Sequence, residues 1–190
     1  MMTLLDEYTR QCLAIQVERQ ITADQVLGVL KKAMIQYGAP DYIRSDNGPE
    51  FIATKVQQGL KDHQIKTIYI DPGSPWQNGY IESFHSRFHD ECLSREMLLN
   101  LREARVVIED WRQHYNTERP HSRLGYLSPE EFIKTKILVS HTLTGPKQVS
   151  LSDATRTAAR ISLVLNKNSS IPSQTTGNIY GRLYSSTPYE

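Results

Sequence analysis

Segments typical of strands alternate with segments typical of helices along the first two-thirds of this chain. Two apolar runs, Leu4–Leu5 and Cys12–Val17, flank a polar turn and predict a β-hairpin. The pair Thr22 and Gln25 predicts a capping box, and apolar residues at helical spacing continue from it to Tyr37. Strands that alternate with helices favour a parallel sheet with helical crossovers, whereas the hairpin is antiparallel. The chain is therefore predicted to be an α/β protein with a mixed sheet.

Turn-forming and capping residues bound the later elements. Gly38 and Pro40 are predicted to end the first helix. The further predictions are strands at 42–45 and 66–70, a loop at 71–75, and helices at 54–63 (capped by Thr54 with Gln57), at 77–93, and from Asn100 with Glu103 at its start.

The character of the sequence changes after about Lys136. Residues 137–190 are rich in Ser, Thr, Asn and Gly and have no sustained period, so we expect an irregular, mostly poorly ordered tail with one possible element at 156–165. This predicts a division into a core, 1–136, and an unassigned tail, 137–190.

No segment is apolar enough to span a membrane and no signal peptide is present, which favours a cytoplasmic protein. Cys12 and Cys92 lack metal-ligand spacing and are expected to be reduced.

The charge distribution constrains the partner. The whole chain has a net charge of +1, but residues 1–136 carry two more acidic than basic side chains. A stand-alone DNA-binding domain usually has a basic excess, because neutralising phosphates supplies most of its nonspecific affinity. Either the core does not bind DNA, or its main DNA-binding element lies elsewhere.

Two carboxylates are the main candidates for chemistry. Asp46 ends a predicted strand in the run SDNGPEF, and Glu82 lies near the start of a predicted helix in the run NGYIESF, with 35 residues between them. Two such carboxylates can share a hard cation such as Mg²⁺, which completes its shell with phosphate oxygens and water. By themselves, the same residues also suit a turn former and a helix N-terminal charge.

Four ordered blocks resemble the catalytic core of insertion-sequence transposases related to retroviral integrases. They are DEYTRQCLAI, IRSDNGPEF, NGYIESFHSRFHDEC and YNTERPHSRLGYLSPEEF, and they cover about two-thirds of the chain. The resemblance implies a ribonuclease-H-like fold and, in the complete protein, metal-dependent DNA cleavage and strand transfer during transposition. It implies DNA partners, namely the transposon ends and the target, and a homo-oligomer.

The resemblance also implies the metal site. Asp46 and Glu82 match the second and third carboxylates of the family's DDE triad, which holds two Mg²⁺ or Mn²⁺ ions. The leading Asp of the triad is not found before Asp46: Asp6 matches a hairpin turn and Asp24 lies early in a helix, so neither is expected to replace it. The family places that Asp on the first, central strand of the sheet.

Three expectations follow from that departure. We expect an N-terminally truncated core whose sheet lacks its first strand. Burial of each large aliphatic side chain on such a strand contributes roughly 1.5–3 kcal/mol, so the chain is expected to lack a stable core and, without the third carboxylate, to be inactive by itself. The alternatives are a noncatalytic protein that modulates intact transposase by mixed assembly or DNA binding, and a decayed remnant without function.

Candidate DNA-contacting residues come from the loop before Glu82, from its helix and from the last block. They are Trp76, Gln77, Asn78, Tyr80, Arg87, His89, Arg119 and Arg123. His89 stands where the family usually has Lys or Arg. Helical spacing places His85 and His89 on the solvent-exposed face of Glu82, which also allows a zinc site, although exposed histidines are the simpler interpretation.

Overall fold

Strand β1 (Met2–Asp6) is buried along its whole length, because helices cover both faces of the sheet that contains it. The computed structural model describes residues 1–70, 79–144 and 162–167. The other strands are β2 (Cys12–Gln16), β3 (Tyr42–Ser45), β4 (Lys66–Tyr69) and β5 (Ser162–Lys167). The helices are α1 (Ala23–Tyr37), α2 (Pro49–Ile52), α3 (Thr54–Asp62), α4 (Gly79–Phe88), α5 (Leu101–Thr117) and α6 (Pro129–Thr144).

The five strands form one mixed sheet in the order β2-β1-β5-β3-β4. Strand β1 pairs antiparallel with both β2 and β5, while β3 pairs parallel with both β5 and β4. The sheet was expected to lack a central strand. Instead, β5 from the C-terminal segment lies in the centre and links the hairpin to the parallel pair. The other tail residues, 145–161 and 168–190, lie outside the described residues.

Two hydrophobic clusters cover the two faces of the sheet. On one face Leu4 and Ile43 pack with residues of α1, α2 and α3. On the other face Leu5 packs with Phe84 and Trp111, which belong to α4 and α5. Leu4 and Leu5 enter opposite clusters because successive residues of a strand point to opposite faces.

Local capping signals explain where most helices begin. Thr22 and Gln25 form the predicted capping box at the start of α1, and the Asn100 side chain accepts a hydrogen bond from the backbone N–H of Glu103 (2.9 Å). The prediction for α3 was wrong: its N-cap is Ala53, which has no side-chain acceptor, so Thr54 is already inside the helix.

The second half of the described chain holds elements that periodicity did not predict. Helix α4 ends at Phe88 and one π-helical turn, His89–Leu93, continues it. A 3₁₀ turn, Ser122–Leu124, precedes α6. Ser128 and Glu131 form a capping box that starts α6, with a hydrogen bond of 2.8 Å from the Ser128 N–H to Glu131 Oε2.

Helix α5 closes the outer edge of β2. Asn116, buried in α5, accepts a hydrogen bond from the Cys12 N–H (2.8 Å) and donates one to the Cys12 carbonyl (2.9 Å). The Asn116 amide thereby pairs with the backbone N–H and C=O groups of Cys12, which on an edge strand would otherwise lack a hydrogen-bonding neighbour. Cys12 and Cys92 are buried and form no disulfide. Among the described helices, none is long and apolar enough to cross a membrane.

Candidate active site and nucleic-acid interface

Asp46 lies directly after β3, at the carboxyl end of the strand. Its Oδ1 accepts a hydrogen bond from the Gly48 N–H (3.1 Å), which fixes the side chain in an Asx turn. The close approach favours glycine, because a Cβ at position 48 would lie 3.1 Å from both Asp46 Oδ1 and Glu50 Oε1, which is a tight contact. The Asp46 carboxylate is thus held by the turn that connects β3 to α2.

Glu82 lies in the first turn of α4 and is exposed. Ile81, Phe84 and Phe88 anchor this helix in the second hydrophobic cluster, which turns Glu82 toward solvent. Within the described residues Glu82 makes no hydrogen bond or ion pair. Its carboxylate can therefore bind a cation without first breaking a contact that the structure describes.

The chemistry of Asp46 and Glu82 suits a divalent cation. Both supply hard oxygen donors, and Mg²⁺ commonly takes only one or two carboxylates, with phosphate oxygens and water as its other ligands. A second ion would need further ligands. Within the described parts of the chain, no three His, Cys, Asp or Glu side chains are grouped as a metal site, and this includes the suggested zinc set of Glu82, His85 and His89.

The other two aspartates before residue 41 have structural roles. Asp6 Oδ1 accepts hydrogen bonds from the backbone N–H groups of Tyr8 (2.8 Å) and Thr9 (3.3 Å), and burial raises the pKa of this carboxyl. Asp24 is exposed at the start of α1 and pairs with Lys55. Both positions agree with their expected roles in a turn and at a helix start.

The expectation that His85 faces solvent was wrong. Its Nε2 lies 2.9 Å from the hydroxyl of Thr3, a fully buried residue of β1, and burial lowers the pKa of His85 to about 4. The helix is rotated so that position 85 points to the sheet. His89 is exposed in the π-helical turn, where its Nδ1 contacts Asp90 Oδ1 (3.3 Å) and Ser94 Oγ (3.1 Å).

A cleft of about 650 Å³ lies beside α4 and has no acidic residue among its described lining. It is bounded by α4, by the turn between β1 and β2, and by the segment around the 3₁₀ turn. Four arginines line it: Arg10, Arg87, Arg119 and Arg123. We call it the arginine cleft. Because a concentrated positive potential attracts polyanions, its lining suits a nucleic-acid backbone.

The Tyr80 ring contacts two of the arginines that line the cleft. The Arg10 guanidinium lies 3.8 Å from the centroid of the Tyr80 ring and that of Arg123 lies 5.7 Å from it. A hydrogen bond from Arg10 lowers the pKa of the Tyr80 hydroxyl. Within the described residues, Arg10, Arg87 and Arg123 make no ion pair. Their charges are therefore available to a ligand anion.

Arg119 differs from the other three arginines. Its guanidinium donates hydrogen bonds to both carboxylate oxygens of Glu91, at 2.6 and 2.9 Å, and this pairing lowers the pKa of Glu91. Arg119 thus ties the segment after α5 to the π-helical turn. We assign it first to holding the wall of the cleft.

His121 presents a buried polar atom to the same region. Its Nε2 is buried and has no hydrogen-bond partner in the described structure. Burial, reinforced by Arg119, Arg87 and Arg10, lowers the pKa of His121 to about 4, so the imidazole is neutral near pH 7. A neutral imidazole has one N–H, and His121 makes a hydrogen bond to the Tyr115 backbone, so its buried Nε2 is left as an acceptor.

The structure brings together half of the predicted DNA-contacting residues. Tyr80, Arg87, Arg119 and Arg123 all line the arginine cleft, whereas His89 is not among its lining residues. The predicted loop residues Trp76, Gln77 and Asn78 lie outside the described residues.

Two residues of the cleft were missed. Arg10 carried one signal in the sequence, since it ends a hairpin turn where Gly or Asn is more usual. His121 carried none, because only the tertiary packing buries it beside the arginines.

Comparison with known proteins identifies the domain. Two family models, each described as an integrase core domain, match residues 1–75 and 63–129. An insertion element IS476 protein of 39.2 kDa from Xanthomonas euvesicatoria is 43% identical over 131 residues, which are 69% of this chain and 38% of that protein. The transposase InsF of IS3A from Escherichia coli is 25% identical over 132 residues, covering 68% of this chain and 46% of the transposase.

The fold also matches a solved structure. The catalytic core domain of HTLV-2 integrase, in complex with magnesium in a trimeric form, superposes with a TM-score of 0.52 at 16% identity, covering 68% of this chain and 81% of that one. This supports the ribonuclease-H-like fold. The chain spans less than half the length of the two curated relatives. Over residues 1–129 it belongs to the integrase core domain family, as found in the transposases of insertion sequences.

Proposed function

We propose that this chain binds DNA through the arginine cleft, and that Asp46 and Glu82 would hold a divalent metal ion for the cleavage and joining of DNA strands in transposition. The observation that carries the proposal is that one helix, α4, carries both the candidate metal ligand Glu82 and residues of the candidate DNA-binding cleft. Helix α4 presents Glu82 to solvent and, on an adjacent stripe, presents Tyr80, Ser83 and Arg87 to the cleft. A DNA strand held in the cleft would therefore pass close to Glu82.

The residues of the chain divide this work. Arg10, Arg87 and Arg123 bind backbone phosphates, and the Tyr80 ring, which lies 3.8 Å from the Arg10 guanidinium and 5.7 Å from that of Arg123, helps to position these two arginines. Asp46 and Glu82 hold the cation, which when bound polarises the phosphodiester and the attacking hydroxyl. The Asx turn keeps the Asp46 oxygens in place before the metal arrives.

Features of the relatives support the proposal. The HTLV-2 integrase core is seen with magnesium, and the Escherichia coli relative is a transposase. We propose Mg²⁺ or Mn²⁺ for this chain, with transposon ends and target DNA as partners. The trimeric form of the HTLV-2 core supports a homo-oligomer.

DNA binding is tested by fluorescence anisotropy with a labelled duplex at several salt concentrations. Each of R10A, R87A and R123A is expected to reduce the slope of log K against log salt by about 0.9, the contribution of one phosphate contact. R102A is the matched control, since Arg102 is exposed on α5 and does not line the cleft. Equal effects of all four substitutions would reject the arginine cleft as the binding site.

Catalysis is tested with the full chain and pre-cleaved duplex ends in Mn²⁺. Strand transfer that E82Q and D46N each abolish would support the enzyme. DNA binding without transfer would instead support the alternative, a noncatalytic protein that modulates intact transposase by occupying DNA or by mixed assembly. Coprecipitation with an intact relative then distinguishes mixed assembly from DNA occupancy.

A further inference from the structure

Tyr126 is the most exposed tyrosine in the described part of the chain, at 76%, and it lines the arginine cleft. Within that part it makes no ring–ring or cation–π contact, whereas Tyr80 in the same cleft contacts Arg10 and Arg123. The ring of Tyr126 is therefore available to a ligand that enters the cleft.

The backbone holds Tyr126 in this exposed position. Its φ of 65° is left-handed, which is unfavourable for a residue with a Cβ. Two hydrogen bonds close the turn around it: the Tyr126 N–H donates to the His121 carbonyl (2.9 Å), and the His121 N–H donates to the Leu127 carbonyl (3.1 Å). Leu124 is buried and anchors the same turn. Because the turn is already closed, binding does not have to order it.

The surroundings of Tyr126 indicate the class of ligand. Arg123, three residues earlier, lines the same cleft and can bind a phosphate. An exposed aromatic ring beside basic side chains is the combination that proteins use for single-stranded nucleic acid, in which the bases stack on the rings. Inside a duplex, neighbouring base pairs cover the faces of each base. The cleft, at about 650 Å³, is also the size of a pocket for a small ligand, so it suits unpaired nucleotides better than a duplex.

We propose that Tyr126 stacks on an unpaired base of DNA, so that the arginine cleft prefers DNA with a single-stranded end to a closed duplex. This inference rests on the proposed function, in which the cleft binds backbone phosphates. It adds the structure of the DNA that the cleft selects and a residue that selects it.

The experiment compares two labelled DNAs with equal numbers of phosphates, a blunt duplex and a shorter duplex with a single-stranded overhang, by anisotropy with the full chain. The wild type is expected to bind the overhang DNA more tightly. Y126N removes the ring but suits the left-handed backbone, because asparagine tolerates it. It is expected to weaken binding of the overhang DNA roughly 5- to 150-fold, the effect of losing one stacked base, and to change binding of the blunt duplex little.

Two control variants isolate the ring. Y126F keeps the ring and is expected to behave as the wild type. Y8N removes another exposed tyrosine, one that does not line the cleft, and should keep the preference for the overhang. An equal loss for both DNAs in Y126N, or a loss in Y126F as large as in Y126N, would overturn the proposal.

The salt dependence separates this inference from the proposed function. Y126N should leave the slope of log K against log salt unchanged, because tyrosine carries no charge, whereas R123A should reduce it. If R123A lowers the slope but Y126N keeps the preference for the overhang, only the stacking role fails. If R123A also leaves binding of both DNAs unchanged, the proposed function and this inference both fail.

Discussion

Arg10 adopts a left-handed backbone conformation, with φ at 63°, at the end of the turn between β1 and β2. This conformation costs a residue with a Cβ roughly 1–2 kcal/mol relative to glycine. Tyr126, with φ at 65°, also lines the arginine cleft, so two of the three described non-glycine residues with positive φ belong to it. Such strain tends to collect at functional sites, which agrees with a binding role for the cleft.

Replacing Arg10 with glycine separates stability from function. R10G is expected to leave the free energy of unfolding within about 1 kcal/mol of the wild type, because relief of strain offsets the greater entropy of the unfolded chain. It is expected to weaken duplex binding roughly tenfold by removing a charged contact. Urea unfolding and anisotropy measure the two quantities.

Gln64 supplies the matched control for R10G. It is exposed with φ at 58° and does not line the cleft, so Q64G should relieve similar strain without changing DNA affinity. Unchanged DNA affinity in R10G would contradict the assignment of Arg10 to the interface.

His85 is expected to make stability depend on pH. Its pKa is lowered from 6.5 to about 4 by burial, so below pH 6.5 the unfolded chain takes up a proton that the folded chain does not. The free energy of unfolding should therefore fall as pH decreases from about 6.5 toward 4, by up to about 1.4 kcal/mol per pH unit, and this contribution should be constant above that range. H85Q should remove the contribution of His85 to the pH dependence of the free energy of unfolding, which is measured by urea unfolding at each pH.

Thr3 provides the control for the pH experiment. T3V removes the hydroxyl partner of His85 but keeps the side chain buried, so it should lower stability by about 1 kcal/mol at every pH and leave the slope in place. Loss of the slope in T3V would mean that the hydrogen bond, and not burial, sets the pKa of His85.

At the scale of elements, two helix glycines face different surroundings. A Cβ on Gly28, in α1, would meet nothing within 4 Å, whereas a Cβ on Gly59, in α3, would lie 2.7 Å from Leu27 Cδ2. Gly59 therefore sets how closely α3 approaches α1, and Gly28 has no described packing role.

These glycines predict substitutions of opposite sign. G28A should raise the free energy of unfolding by about 0.5–1 kcal/mol through helix propensity, while G59V should lower it by about 1–3 kcal/mol through overpacking against Leu27. Thermal and urea unfolding of both variants test this. A stabilised G59V would show that the α1–α3 contact is loose.

Elements that carry their own local signals were predictable from the sequence. The hairpin, the capping box of α1, strand β3 and the Asn100 cap of α5 all appear where turn formers and periodicity placed them. The prediction failed where distant residues decide the outcome. The rotation of His85 toward Thr3 depends on how α4 packs on the sheet, and the central position of β5 depends on pairing across most of the chain.

For the candidate site, sequence motifs single out Asp46 and Glu82, whose metal-binding role stays a prediction. The sequence blocks also single out Tyr80, Arg87 and Arg123, which the structure places in the arginine cleft. That they meet Arg10 in one cleft follows only from the packing of the hairpin turn against α4.

In the whole molecule, β5 is the one strand among the described residues that joins the β1–β2 hairpin to the β3–β4 pair. A chain without a central strand was expected to lack a stable core. Because β5 takes that position, the complete chain is expected to unfold cooperatively.

A proline in β5 tests this dependence. Leu165 pairs with Leu4 on one side and Ser45 on the other, and proline there removes a backbone donor from the centre of the sheet. L165P is expected to lose about 3 kcal/mol or more, or the cooperative transition itself, in urea unfolding followed by circular dichroism. L165V keeps the donor and should lose much less. Equal stability of L165P and the wild type would mean that the sheet closes without β5.

The strand order also has a consequence during protein synthesis. The ribosome synthesises β1 before every other described strand and β5 after them. The pairing of β1 with β5, in which Met2 is opposite Lys167, therefore cannot form until β5 has been synthesised. Until then β1 and β3 each expose a row of unpaired backbone groups, the state in which nascent chains stick to one another. The sheet is thus expected to form only after β5 has been synthesised, and holdase chaperones that cover open strand edges should raise the soluble yield of this chain.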